Sequence, residues 1–480
     1  MSNNSIVSRF GGFVRCFQPP LPQDLHSLYQ HPERLPLSLR KDPTARHLLN
    51  LLGPLAWDRF PERNLQRNYG RPSIPYAALA AACLVKLELG FDSCARLTDW
   101  LNENTSMAWL LGFRPGPGTF NPAWNLDSVN LPDQRHFSRL LHKAPNVCFQ
   151  YLLSSSIRLL LDEFARRNIA VPDIVSVDTK HILAWVKENN PKAYVEERFD
   201  KTRQPSGDQD CKLGCKRRHN QRKASDDYQP PATPASNPLP GNSVSFGEFY
   251  WGYASGVVAA KVPEWGEFVL AEITQPFNCS DVSYFFPLMA VVEQRLGRKP
   301  RFGTLDAAFD AFYIYEYFHQ AGGFAAVPKA EKGKVTQRGF DPDGLPLCAA
   351  GLAMPLKMTY WDRTTAIIEY ERGQYVCPLF HPTPTDTPCP IHDEHWSTGG
   401  CLTTLATSIG ARIRHQLDRE GAVYKQIYKQ RTAVERIFSQ AVELGIERPH
   451  LRNQCAIANL NTLIYTLINL RLLHRIQQRT

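Results

Sequence analysis

The sequence predicts an α/β protein: a mixed sheet flanked by helices, interrupted by a strand-rich insertion and preceded by a mainly helical N-terminal region. Three observations carry this. The first 170 residues show helical periodicity with cap and stop signals, composition turns β-branched at Ile169, and helical patterning returns after residue 411.

Residues 1–70 are rich in Pro and Arg, with a short helical pattern over 45–52. A helix follows Pro75 over 77–87 and stops at Gly90, a C-terminal signal. The next starts at Asp92 or Ser93 and carries Leu97, Trp100 and Leu101; a third holds Met107. A Gly/Pro-rich loop over 114–122 separates these from a helix restarting at Pro132, and 147–167 reads as a long helix with an apolar stripe. Residues 169–182 are strand-like. The tract 198–242 is polar and basic, with six prolines, and reads as a loop or disordered insertion. Strands follow over 249–261 and 267–274, a helix over 282–296, a strand ending at Asp306, a helix over 308–320 and a strand over 323–327. Three strands able to form a meander, then βαβ units, are the order expected of a ribonuclease-H-like fold. The division is 1–168 as a helical DNA-binding domain, 169–328 as the first part of the core with a flexible basic insertion at 198–243, 329–410 as the strand-rich insertion and 411–480 as the helical second part of the core.

Bulk properties exclude little. The charge balance is 55 basic to 46 acidic residues, net +9, a mild excess compatible with a polyanionic partner. Twelve cysteines in a chain this long do not make a small-domain disulfide framework. Residues 1–13 lack an apolar leader core, and no stretch reaches about 18 uninterrupted apolar residues. Residues 456–473 come nearest, but Asn459, Asn461, Asn469 and Arg471 interrupt them and the segment reads as a buried terminal helix. No membrane partner and a cytoplasmic location are expected.

The chemistry lies in three acids. Asp178 ends the apolar run Ile174-Val175-Ser176-Val177, and Asp306 ends Arg301-Phe302-Gly303-Thr304-Leu305. Far downstream, Tyr428, Arg431 and Glu435 fall at i, i+3 and i+7, one face of a helix. Breaking or transferring a phosphodiester needs an activated water or hydroxyl and charge stabilisation on two oxygens, which paired magnesium ions on carboxylates supply. Two strand-end aspartates with a helix glutamate therefore point to a nuclease or DNA strand-transfer enzyme using magnesium or manganese. Arg431 suits bidentate phosphate binding, or a plain i,i+4 salt bridge to Glu435. Asp310 competes with Asp306 but reads as a helix cap or solvent-facing residue.

The blocks Val177-Asp178-Thr179-Lys180-His181-Ile182, Leu305-Asp306-Ala307-Ala308-Phe309-Asp310 and Tyr428-x-x-Arg431-x-x-x-Glu435-Arg436 resemble the three catalytic blocks of bacterial insertion-sequence transposases of the DDE type. Gly70-Arg71-Pro72, Pro132-Asp133 leading to Phe137-Ser138-Arg139, and Tyr250-Trp251-Gly252-Tyr253 extend the resemblance over about residues 65–470. The resemblance implies that Asp178, Asp306 and Glu435 bind the metal. It also implies that Tyr428 and Arg431 touch transposon-end phosphates, with the protein a homodimer on double-stranded transposon ends and target DNA. The family carries Lys or Arg seven residues after the Glu; here that position is Val442, and Arg436 or Arg448 is the substitute contact. Ala and Gly are also usual where this chain has Leu305 and Ala308. Two further readings stand beside a transposase: a catalytically inactive DNA-binding relative and a host nuclease acting on branched DNA.

Other features read less sharply. Cys348, Cys377, Cys389 and Cys401 with His381, His392 and His395 lack a C-x-x-C pair and read as buried free thiols before a zinc site. Cys211, Cys215 and His219 read as part of the disordered tract. The cations from Lys212 to Lys223 read equally as a DNA clamp or a solvated loop. Helices between 75 and 141 fit a helix-turn-helix unit or a packing module. Trp361 reads as a core residue before a base-stacking one.

Overall fold

The structure, a computed structural model, describes residues 24–63, 73–114, 131–217, 247–330, 338–363, 367–385 and 387–479. The Gly70-Arg71-Pro72 motif, most of the 114–122 loop and the tract beyond Arg217, with His219, lie outside them.

The N-terminal region is helical as expected: α1 (Leu25–Gln30), α2 (Leu37–Lys41), α3 (Pro43–Leu52), α4 (Tyr76–Glu88), α5 (Cys94–Glu103), α6 (Thr105–Leu110), α7 (Gln134–Lys143) and α8 (Asn146–Arg166). Local chemistry sets the boundaries. Ser93 caps α5 and Asp133 caps α7 through side-chain oxygens that accept backbone N–H groups. Gly90, at φ +70°, provides the left-handed turn after α4.

The sheet follows: β1 (Ile174–Leu183), β2 (Lys212–Arg217), β3 (Gly247–Val262), β4 (Gly266–Pro276), β5 (Phe302–Thr304) and β6 (Phe324–Ala326), with α9 (Phe285–Leu296) and α10 (Phe312–Gln320) as crossovers. β3 is antiparallel to both β1 and β4, whereas β5 is parallel to β1 and β6 to β5. Apart from β2, the strands thus lie in the order β4-β3-β1-β5-β6. This is a mixed sheet flanked by helices, as expected. One reading is corrected: Lys212–Arg217 is not loop but β2, which continues the β4 edge by pairing with the first residues of β3. Polar residues with a high loop propensity become strand where an unpaired edge of β3 offers them a ladder.

The insertion is a three-stranded antiparallel sheet of β7 (Leu356–Asp362), β8 (Tyr370–Val376) and β9 (Leu402–Ala406). Trp361 is 60% exposed on the edge strand β7, so the core reading is wrong. The chain returns through α11 (Ile409–Gln416), α12 (Ala422–Tyr428), α13 (Thr432–Glu443) and α14 (Gln454–Gln478).

Helix α14 joins the two halves. It packs on α8, β4, α7 and α4, and one hydrophobic core runs without a break from Leu25 to Ile476. It is long and apolar enough to cross a membrane by length and composition, yet most of it is buried inside the protein. Its three asparagines are the reason for its placement. Asn459 donates to the carbonyls of Leu141 and Ala144, Asn461 to the Thr274 hydroxyl, and Asn469 both donates to and accepts from the Val269 backbone. Asn459 and Asn469 are buried amides bonded through both their oxygen and nitrogen, Asn461 through its nitrogen alone among the described residues, and together they fix the helix register against β4 and the N-terminal helices.

Beside them lies a buried acid. Glu272 on β4 accepts from Gln150, Thr274 and Thr462, and burial pushes its carboxyl up to about 7 despite those bonds and the nearby Arg295. A pKa raised by folding favours the protonated form, so its contribution to stability is complete below about pH 4.5 and is lost as pH rises through 7. Glu272→Gln preserves an acceptor for Gln150 and Thr462. It is expected to remove that slope, making the variant more stable than the parent by on the order of 2 kcal/mol at pH 8 but not at pH 5. Urea unfolding at the two pH values checks this; parallel profiles would contradict it.

Candidate functional site: an acidic cluster at the sheet centre

Asp178 sits midway along β1, where the strand runs past the short β5, and Asp306 lies two residues beyond the end of β5. The two strands are parallel and paired through Ser176 and Thr304, so both acids emerge at the same end of the pairing. Beneath them the Thr304 hydroxyl donates to Ser176 Oγ (2.8 Å), and Ser176 Oγ donates to the Gln430 carbonyl (2.7 Å). This hydroxyl chain ties β5, β1 and the turn before α13 into one unit. Gly303 allows the β5 side of it: a Cβ there would stand 2.2 Å from the Phe318 ring, so α10 reaches the sheet only over a residue without a side chain.

The expected single helix from Tyr428 to Glu435 is instead α12, a 3-10 turn over Lys429–Arg431 and α13. Its carbonyl at Gln430 takes the Ser176 hydroxyl, and the tighter turn directs Arg431 inward. Arg431 Nη2 donates to Asp178 Oδ2 at 3.1 Å, and Nη1 lies 3.5 Å from Glu435 Oε1. One guanidinium thus bridges a strand acid and a helix acid that are 257 positions apart. The expected i,i+4 contact to Glu435 is present, and the Asp178 contact is added to it.

Burial and neighbouring charge set the electrostatics of the cluster. Burial pushes Asp178 up to about 6; Arg431 opposes the shift and the charge of Asp306 adds to it. Asp306 is raised too, by burial first and then by the charge of Asp281. Asp306 Oδ1 accepts the Ala308 N–H at 2.8 Å, capping the turn Ala307–Phe309, while Asp178 Oδ1 accepts the Thr179 N–H at 2.8 Å. Glu435 is half exposed. Arg431 Nε is buried and bonds to no group among the described residues.

The remaining candidates fall elsewhere. Tyr428 stacks on Tyr424 (ring centroids 5.8 Å, 11°) and packs against the apolar cluster of Ala326 and Ile427. Arg436 points away from the acids and pairs with the buried Glu267 at the start of β4 (2.7 Å). Val442 is exposed near the end of α13. Asp310 ends the turn Ala307–Phe309 through its backbone N–H, but its side chain neither caps a helix nor faces solvent. It is fully buried, accepts both Nε (2.8 Å) and Nη2 (2.7 Å) of Arg414, and takes further bonds from Tyr315 and the Ala330 N–H. Burial raises it, but these donors prevail and hold it below the ordinary carboxylate value. A buried acid of this kind needs partners from distant segments, which sequence spacing does not display.

Among the described residues, no group of three or more His, Cys, Asp or Glu side chains is arranged to hold a metal ion. In the insertion, Cys377 and Cys401 are in hydrogen-bond contact just beyond the paired Val376 and Leu402. Cys211 is buried rather than disordered. Asp281 was not a sequence candidate: in Cys279-Ser280-Asp281 it looks like the cap of the following helix. In the structure its Oδ1 accepts the Thr179 hydroxyl at 2.7 Å.

No family model matches the chain, and no curated protein matches it. Among solved structures the chain is similar to the Mos1 transposase paired-end complex with left transposon end, at 14% identity over 55% of this chain and 62% of that chain, with a TM-score of 0.16. The match spans less than two thirds of that chain's length, and a score this low establishes no shared fold.

Proposed function

We propose that this chain is a DDE-type DNA transposase with a ribonuclease-H-like catalytic core, which binds terminal inverted repeats, cleaves DNA strands and transfers them. The single observation that carries the reading is the Arg431 bridge: its guanidinium contacts both Asp178 and Glu435. Asp306 lies two residues beyond the neighbouring strand β5, its charge felt at Asp178. In the strand order β4-β3-β1-β5-β6, Asp178 lies on β1 and Asp306 just beyond its parallel neighbour β5, which supports the reading.

Three carboxylates are the donor chemistry of magnesium or manganese, although among the described residues they are not gathered into a ligand set. Carboxylate oxygens are their preferred ligands, and burial raises the carboxyls of Asp178 and Asp306, so a cation beside them would favour their ionised form. Asp178, Asp306 and Glu435 would hold the ions, which when bound supply charge stabilisation on the entering and leaving oxygens. Arg431 neutralises Asp178 in the absence of such charge and offers its guanidinium to a phosphate. The N-terminal helices α4–α7 are assigned to end recognition, and the active form to a homodimer on paired double-stranded ends.

The inactive-relative reading has one observation in its favour, the exposed Val442 where the resembled family carries a cation. Incubating the purified chain with a labelled fragment carrying the inverted repeats that flank its gene, in magnesium, separates the readings. A transposase yields nicks at the repeat ends and joined 3′ products. Binding without nicking identifies an inactive relative, and cutting of branched DNA without joining identifies a nuclease; either result rejects the proposal.

A further inference from the structure

We propose that Cys377 and Cys401 form an oxidisable pair, a modification site at which a small-molecule disulfide closes a bond across the end of the β8–β9 ladder. The inference goes beyond the strand-transfer reading and does not depend on it. β8 and β9 are antiparallel, and Val376 is the partner of Leu402. One step outward, the same register sets Cys377 opposite Cys401. Residues opposed across antiparallel strands have Cα atoms about 4.5–5.5 Å apart, inside the span of about 4.4–6.8 Å that a disulfide bridges. The two thiols are in contact, and both are free.

A glycine lets them meet. Cys377 packs on Gly400, where a Cβ would stand 2.7 Å from Cys377 Cβ and 3.0 Å from its Sγ. Gly400 also lies at φ +78°, which turns the chain into Cys401. The segment between the two cysteines is anchored at both ends. The His381 N–H donates to the Cys377 carbonyl (3.1 Å), the Gly400 N–H donates to the His395 carbonyl (2.9 Å), and Phe380 packs on Trp396 (ring centroids 4.6 Å). Cys348 also acts on Cys401 by its charge, but its backbone belongs to a separate turn over 348–351, outside the ladder.

Access orders the chemistry. Cys377 is buried and Cys401 part-exposed, so Cys401 is the entry sulfur. Its sulfur attacks one sulfur of the small disulfide, whose S–S bond breaks, and the departing thiolate takes the Cys401 proton. Cys377 then attacks the Cys401 sulfur, forming the Sγ–Sγ bond, and the second small thiol leaves with the Cys377 proton. Two protein thiols are oxidised and one small disulfide is reduced to two thiols. Burial pushes the Cys401 thiol up to about 12, so thiolate is scarce at neutral pH and the first exchange is slow.

The test uses the full chain with oxidised glutathione. Remaining thiols are alkylated in denaturant and the chain is cut at acidic residues. Segment 378–400 holds no Lys or Arg but contains Asp386, Asp393 and Glu394, so these cuts separate Cys377, Cys389 and Cys401. The fragments of Cys377 and Cys401 are expected to be joined, two hydrogens lighter than their reduced sum, and parted by a dithiol. The unfolding midpoint should rise on oxidation and return on reduction, because the bond restricts the unfolded chain. Cys377→Ser and Cys401→Ser are each expected to lose the joined fragment, and Cys348→Ser to keep it. Cys401 joined to Cys348 or Cys389, Cys401 recovered only as its glutathione mixed disulfide, or both thiols still open to alkylation would each overturn the proposal. DNA enters none of these readouts, so such a failure leaves the strand-transfer reading untouched.

Discussion

Glu435→Gln is expected to abolish DNA strand cleavage, by on the order of 10³-fold or more, while leaving binding to the transposon ends and folding stability nearly intact. The position makes the test clean. Glu435 is half exposed on α13 and its contact in the free protein is the 3.5 Å ion pair with Arg431, so the cost to the fold is within about 0.5 kcal/mol. Chemistry and stability are therefore separable at this residue. Asp178→Asn is the companion variant: it keeps acceptors for the Thr179 N–H and the Arg431 guanidinium but cannot carry the full charge. Both variants are to be assayed for end binding by gel shift, for cleavage in magnesium and for thermal unfolding. Parent-like cleavage by either would remove that residue from the chemistry.

The largest stability effect is expected elsewhere. Arg414→Ala leaves Asp310, which has no exposed side-chain surface, without its bidentate partner. Removing one member of a buried pair costs about 3–5 kcal/mol, because the remaining charge stays desolvated. Urea unfolding measures it, and a loss below about 1 kcal/mol would mean that Tyr315 and the Ala330 N–H suffice for Asp310. Asp310 closes the turn that Asp306 caps, so cleavage is expected to fall along with stability. Restoring charge balance with Asp310→Asn in the Arg414→Ala background should recover part of the lost stability, since no ionised acid then remains buried.

Much of this architecture was legible in the sequence because its signals are local. Ser93, Gly90 and Asp133 mark helix ends through caps and a left-handed turn, and the β-branched run before Asp178 marks its strand. The asparagines of α14 argued against a membrane helix, and they prove to be its buried contacts to β4 and α7. What stayed hidden depends on the third dimension. Lys212–Arg217 has no strand propensity to speak of and pairs only because β3 overhangs β4. Trp361 looked like a core residue by type alone, and Asp310 like a surface acid by neighbourhood alone; packing reversed both. At the site, the acids were visible by their position after apolar runs. The Arg431–Asp178 bond, the Thr304–Ser176–Gln430 chain and the Thr179–Asp281 bond join segments more than 100 positions apart, and no spacing rule reports them.

The most direct measurement is crystallographic. Crystals of the chain with a transposon-end duplex, soaked in manganese and measured for anomalous scattering, are expected to show an ion at about 2.0–2.3 Å from carboxylate oxygens of Asp178 and Asp306. Glu435 should close the site and Arg431 should have turned from Asp178 toward a phosphate. An anomalous peak elsewhere on the protein, with Arg431 still bonded to Asp178 beside bound DNA, would contradict the assignment of these three acids.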